Sequence, residues 1–117
     1  QDRCTPRTAQ PAPKDQGQTA GYSLNGNWQF RASCPLLIRT TGSQSFRRTG
    51  SNTFQGTLKD SLGQTATTQV TLSGRRMDLV IRFPGVTLYG TGTLATDGNS
   101  YTTVTNNGCK SSVWRVG

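Results

Sequence analysis

The stretch Leu24-Asn25-Gly26-Asn27-Trp28-Gln29-Phe30, LNGNWQF, separates two kinds of sequence. Before it, residues 1–23 (QDRCTPRTAQPAPKDQGQTAGYS) carry three Pro, four Gln and a single aromatic residue, with no apolar periodicity. Such a segment cannot bury enough apolar surface to offset its ordering entropy and reads as a flexible leader. After it, short alternating segments recur between turn residues at even spacing, the signature of an antiparallel sheet, sandwich or barrel. A Gly-x-Trp at that threshold is either an ordinary core aromatic on a first strand or the entrance to a closed barrel.

Eight strands are expected: 27–33, 36–48 with a bend at Gly42, 53–60, 65–73, 77–83, 86–95, 100–105 and 109–116. Turns fall at Thr49-Gly50-Ser51-Asn52, Asp60-Ser61-Leu62-Gly63, Gly74-Arg75-Arg76, Pro84-Gly85, Thr96-Asp97-Gly98-Asn99 and Asn106-Asn107-Gly108. Connections this short make sequential strands neighbours, so the chain should form an all-β, eight-stranded antiparallel up-and-down β-barrel over residues 24–117. Met77, Leu79, Ile81 and Phe83 alternate with Asp78, Val80 and Arg82, giving one apolar face. Gly90 and Gly92 share a face with Val86, Leu88 and Leu94, where strand glycines permit sharp bending. Hydrophobic residues at 31% and 14 glycines suit such a thin, turn-rich domain, and no window keeps the i, i+3, i+4, i+7 spacing of a helix. About ninety residues in eight strands leave limited room inside for large lipophilic cargo.

An even number of strands lets the first pair with the last, antiparallel, and close the sheet. Three cysteines test this closure. If Cys34 lies opposite Cys109, partners across the seam sum to 143, and Trp28 then faces Arg115. The alternative is two unrelated cysteines and a chance alignment. An oxidised Cys34–Cys109 pair places the protein outside a reducing cytosol, periplasmic or secreted. Cys4, in the leader, is left for an intermolecular disulfide or an idle thiol; Gln1-Asp2-Arg3 ahead of it is not the small, apolar context of a lipid-modified bacterial cysteine.

Gly26-Asn27-Trp28 on the first strand and Arg115 on the last resemble the signature of the calycin barrels, which include lipocalins, avidins and small bacterial inhibitors of secreted metalloproteases. The run Gly26 to Phe30 followed by Cys34 and Leu36 is most similar to the opening of the inhibitor group, whose members are periplasmic or secreted. The resemblance implies a calycin-like barrel with Trp28 and Arg115 in structural roles. The chain departs from that group in its disulfide, which the inhibitors close within the first part of the barrel. It departs from avidins in lacking, within QFRASCPLL, the Asn and Ser that hold biotin.

The chain offers little for catalysis. It has no His, and of its five acidic residues Asp60 and Asp97 are explained by turns, where Asp caps its own backbone. No nucleophile elbow or phosphate loop is present. A non-enzymatic protein without metal or cofactor is therefore expected, the absence of His and the scatter of the cysteines arguing against a zinc site. Thirteen Lys and Arg against five acids give a net charge of +8, ten of the cations being Arg. That favours an acidic protein surface or other anionic macromolecule as partner. Nucleic acid is disfavoured, since Tyr89 and Tyr101 do not make the aromatic ladder of a single-strand binder. No apolar run is long enough to span a membrane as a helix.

Alternate turns of an up-and-down barrel share an end. Arg47, Arg48, Arg75 and Arg76 should therefore lie at one rim with the leader, and make a candidate binding site for an anionic partner. If the second strand were really two, the parity would change and the cluster would dissolve. The function expected is an extracytoplasmic protein-binding module, an inhibitor or immunity-type factor acting through the leader or this rim. The alternatives are a small-ligand carrier using the barrel interior, and a component of an envelope or secretion assembly.

Overall fold

A computed structural model describes residues 21–116; the leader's first twenty residues, with Cys4, lie outside the described part. Eight strands follow in order: β1 Gly26–Cys34, β2 Ile38–Arg48, β3 Thr53–Asp60, β4 Thr65–Ser73, β5 Arg76–Phe83, β6 Val86–Leu94, β7 Ser100–Thr105 and β8 Lys110–Val116. Each pairs antiparallel with its neighbour, and β8 returns to β1, so the sheet is a closed up-and-down barrel with no free edge.

Alternation decides the inside. On β4, Ala66, Thr68, Val70 and Leu72 are buried while Thr65, Thr67, Gln69, Thr71 and Ser73 are exposed. On β5, Met77, Leu79 and Ile81 turn inward. With Leu24, Trp28, Phe30, Phe46, Phe54, Tyr101 and Val113 they form one continuous core. Gly42 stands opposite Phe30 within an uninterrupted β2. A Cβ there would come within 2.1 Å of the Lys59 carbonyl and 2.6 Å of the Phe30 ring, so the glycine is a close-approach position.

The seam has the register that sums to 143. Trp28 pairs with Arg115, Phe30 with Val113 and Ser33 with Lys110. Cys34 and Cys109, 75 positions apart, are joined by a disulfide at one end of that ladder. The strand limits differ from expectation chiefly after Cys34. Leu36 and Leu37 do not begin β2; with Pro35 they form a separate tight turn, with φ of 64° and 63° respectively. Proline fixes its own φ near −65°, and two left-handed residues then reverse the chain where a pleated strand could not. A left-handed conformation costs a branched side chain about 1–2 kcal/mol per residue.

Candidate functional site

The two ends of the barrel differ in kind. At the end holding the start of β1 and the β2–β3, β4–β5 and β6–β7 turns, side chains and backbone make a cap. Leu24 is wholly buried and its carbonyl accepts a 2.9 Å hydrogen bond from the Trp28 indole N–H. Trp28 packs edge-on against Tyr101, with ring centroids 5.1 Å apart. Arg115, inward on β8, lies over the other side of this floor, its guanidinium carbon 4.2 Å from the Trp28 ring centre. Its Nη1 donates to the Asn25 carbonyl at 2.6 Å, and its Nη2 to the Ser23 and Gly98 carbonyls at 2.8 and 2.9 Å. Its Nε donates to Asn99 Oδ1 at 3.3 Å. One planar fork thus ties the entering chain to the β6–β7 turn.

Gly26 completes the explanation of Gly-x-Trp. It holds φ of +120° where the chain swings from the cap into β1, and a Cβ would sit 3.4 Å from Arg115 Nη1. The cap reaches further back than Leu24: the Tyr22 hydroxyl donates to the Thr96 carbonyl at 2.9 Å, and its ring packs against the core. The folded unit therefore includes Tyr22 and Ser23, residues that composition alone assigns to the leader.

The four rim arginines all lie at this capped end, as turn parity requires, but they do different things. Arg48 donates to the Ser51 carbonyl at 2.6 Å and the Tyr22 carbonyl at 3.2 Å, and covers the Phe54 ring at 4.6 Å. Arg75 donates to the Leu94 carbonyl at 3.0 Å. Both are fasteners of the cap. Arg47 and Arg76 are exposed on strands separated by β3 and β4, and Arg76 lies 3.6 Å from Asp78. The four share an end of the barrel, Arg47 and Arg48 at the end of β2 and Arg75 and Arg76 at the β4–β5 turn.

The opposite end is open. Between the Trp28–Tyr101 floor and the disulfide lies an interior cavity of about 640 Å³. Its wall is mostly apolar, with Phe30, Leu58, Leu79, Ile81, Leu88 and Val113. Polar side chains interrupt that wall, two pairs of them bonded to each other. The Tyr101 hydroxyl donates to the Gln44 side-chain carbonyl, and Thr103 bonds Ser111. Burial pushes the Tyr101 phenol well above its ordinary pKa of 10.0, so it stays a neutral donor. With the Gln44 carbonyl occupied by Tyr101, its amide N–H₂ is the donor this pair offers at the cavity floor. Cys34 and Cys109 stand in the wall near the mouth. No group of three or more His, Cys, Asp or Glu side chains suited to a metal ion occurs among the described residues.

Sequence reasoning located the seam and the two ends but not this cavity. Its signal lay in which inward positions are small or polar: Ala32, Thr103, Thr105 and Ser111 sit toward the disulfide end and Gln44 beside Trp28 at the floor, whereas Trp28, Phe46, Phe54 and Leu72 fill the capped end.

Fold and site together define a closed eight-stranded up-and-down β-barrel, capped at one end and hollow toward the other. No protein-family model matches the chain, and no curated protein matches it. Among solved structures it is similar to redesigned β-barrels. One, b11L5F_LGL, shares 20% identity over 80% of this chain and 92% of its own, with a TM-score of 0.66. A second, mFAP1 bound to DFHBI, shares 16% over 80% and 94%, with a TM-score of 0.64. A third, mFAP0 bound to DFHBI, shares 17% over 77% and 94%, with a TM-score of 0.54. These likenesses are of fold.

Proposed function

We propose that this protein is a non-enzymatic carrier that holds a small, mainly apolar molecule with one polar, hydrogen-bond-accepting group in its open-ended cavity. The observation that carries the reading is the cavity itself: about 640 Å³, apolar-walled, with the Tyr101–Gln44 pair at its floor. That volume falls within the range of small-molecule sites, which combine apolar walls with a few placed polar groups. Two barrels of similar fold, mFAP1 and mFAP0, are each seen bound to DFHBI. The calycin-like Gly26-Asn27-Trp28 and Arg115 agree with a carrier barrel, and the disulfide supports a periplasmic or secreted location.

A second reading, a protein-binding inhibitor or immunity-type factor, draws on the four arginines exposed at the capped end, Arg47 and Arg76 above all. Its reach is narrowed by the engagement of Arg48 and Arg75 in the cap.

The test is saturable binding of a neutral apolar dye, Nile red, together with native mass spectrometry of protein purified from its own source. The carrier reading expects one-to-one binding that Leu88→Trp, a wall residue near the mouth, weakens by about tenfold or more by occupying the space. It also expects Gln44→Leu to weaken guests bearing a carbonyl more than plain hydrocarbons. Dye binding absent, or indifferent to Leu88→Trp, would overturn it.

A further inference from the structure

The lip of the open end is apolar where the capped end is polar. Three of its four turns present exposed hydrophobic side chains in or beside them: Leu36 and Leu37 between β1 and β2 with Ile38 opening β2, Leu62 between β3 and β4, and Val86 opening β6 after Pro84-Gly85. Leu36 and Leu37 are 91% and 86% exposed, and both sit in the left-handed region, so the chain holds them outward in a conformation that leucine disfavours. The turns of the capped end, Thr49 to Asn52, Gly74-Arg75 and Ala95 to Asn99, carry no large apolar residue.

Below the lip runs a basic collar. Arg39, Lys59, Arg82 and Lys110 are exposed on β2, β3, β5 and β8, each within two residues of its strand's open end. The acidic residue at this end, Asp60, uses Oδ1 to accept the Leu62 and Gln64 backbone N–H groups of its own turn. Further down, the outer wall is polar on β4, with Thr65, Thr67, Gln69 and Thr71, and carries the exposed Tyr89 on β6 and Val104 on β7. An apolar tip, a cationic ring and a polar shaft match the layers of an anionic bilayer surface: acyl boundary, headgroup charge and water.

We propose that the open mouth docks on an anionic lipid surface, Leu36, Leu37 and Leu62 entering the acyl boundary while the four collar cations lie among the headgroups. The polar shaft keeps the barrel on the surface and does not carry it through. Docked this way, the cavity mouth faces the lipid, which is where an apolar guest would be gained or released. The inference stands on the outer lip and does not need the cavity to be occupied.

Vesicle flotation with the full chain tests it. Vesicles of phosphatidylcholine alone are compared with vesicles of equal parts phosphatidylcholine and phosphatidylglycerol. The protein is expected to float with the anionic vesicles, less so as salt is raised. Leu36→Ser/Leu37→Ser should weaken binding by about tenfold or more, since it removes two exposed leucines from the inserting tip and leaves the core intact. Leu62→Ser, on another turn, provides an independent loss, and unchanged melting shows that each variant is folded. Arg47→Gln/Arg76→Gln, at the far end, should leave binding within about twofold.

The proposal is overturned if wild type floats with neither vesicle, if both leucine variants float as wild type does, or if the far-end pair matters as much as the leucines. It is also overturned if the lip instead supports a dimer in sedimentation analysis that the leucine substitutions dissociate. Flotation is read without dye and dye binding without vesicles, so the docking and carrier readings fail separately.

Discussion

Arg115 ties distant parts of this fold together, because one guanidinium meets four acceptors and an aromatic face at once. The acceptors come from two places far apart in sequence: Ser23 and Asn25 in the entering chain, and Gly98 with Asn99 in the β6–β7 turn. Removing it leaves those carbonyls unpaired in a half-buried setting and uncovers Trp28. Arg115→Ala should therefore cost about 2–4 kcal/mol, and Arg115→Lys should recover less than half, since an ammonium cannot span the fork. Urea denaturation of the three proteins measures this; equal stability of the Lys variant and wild type would contradict the geometry.

Tyr101 makes a different prediction at the same scale. Its folded-state pKa lies above the ordinary 10.0 because burial disfavours the phenolate. Below pH 10 both folded and unfolded chains keep the proton, and this group contributes nothing to the pH dependence. Above it the unfolded chain releases the proton while the folded chain holds it, so stability falls as pH rises. Melting temperature should drop more steeply above pH 10 in wild type than in Tyr101→Phe. The substitution itself costs about 1–2 kcal/mol at neutral pH by stranding the Gln44 carbonyl.

At the scale of the element, what was legible in the sequence depended on whether the signal was local. Strands β3, β4 and β7 begin and end where alternation and turn residues place them. The seam was legible as well, because Cys34 and Cys109 fix a register that brings Trp28 opposite Arg115. The work done by Arg48 and Arg75 was not, since it depends on which backbone carbonyls a folded turn leaves open nearby. Nor was the β1–β2 connection. Leu36-Leu37-Ile38 reads as the start of an apolar strand, and only the left-handed φ values of its first two residues show a turn that faces solvent. That turn has a testable cost. Leu36→Gly and Leu37→Gly remove the steric penalty of the left-handed region while adding unfolded-state freedom. Each should stabilise the fold by up to about 1 kcal/mol in chemical denaturation. Loss of more than this would mean that the two side chains have a structural role in the folded protein.

At the scale of the molecule, closure is secured twice, and the two devices are unequal. The capped end is held by Trp28, Arg115 and the buried core around them, while the open end relies on the Cys34–Cys109 bond to hold the same pair of strands. A crosslink between residues 75 positions apart stabilises by about 4–5 kcal/mol in the chain-entropy model. Cys34→Ser/Cys109→Ser should lower stability by about that amount without abolishing the fold, because the ladder from Asn27 to Ser33 with β8 remains. The loss should also be uneven in space. Amide exchange is expected to accelerate around Ala32 to Cys34 and Lys110 to Ser112, where the hollow half of the barrel has little packing behind it. The Trp28 indole N–H, bonded to the Leu24 carbonyl beneath the cap, should stay protected. Uniform acceleration across both ends would show that the barrel opens as one unit. Acceleration confined to the mouth would show a rigid floor and a separable rim, the mechanical arrangement a carrier needs if guests are to pass while the fold persists.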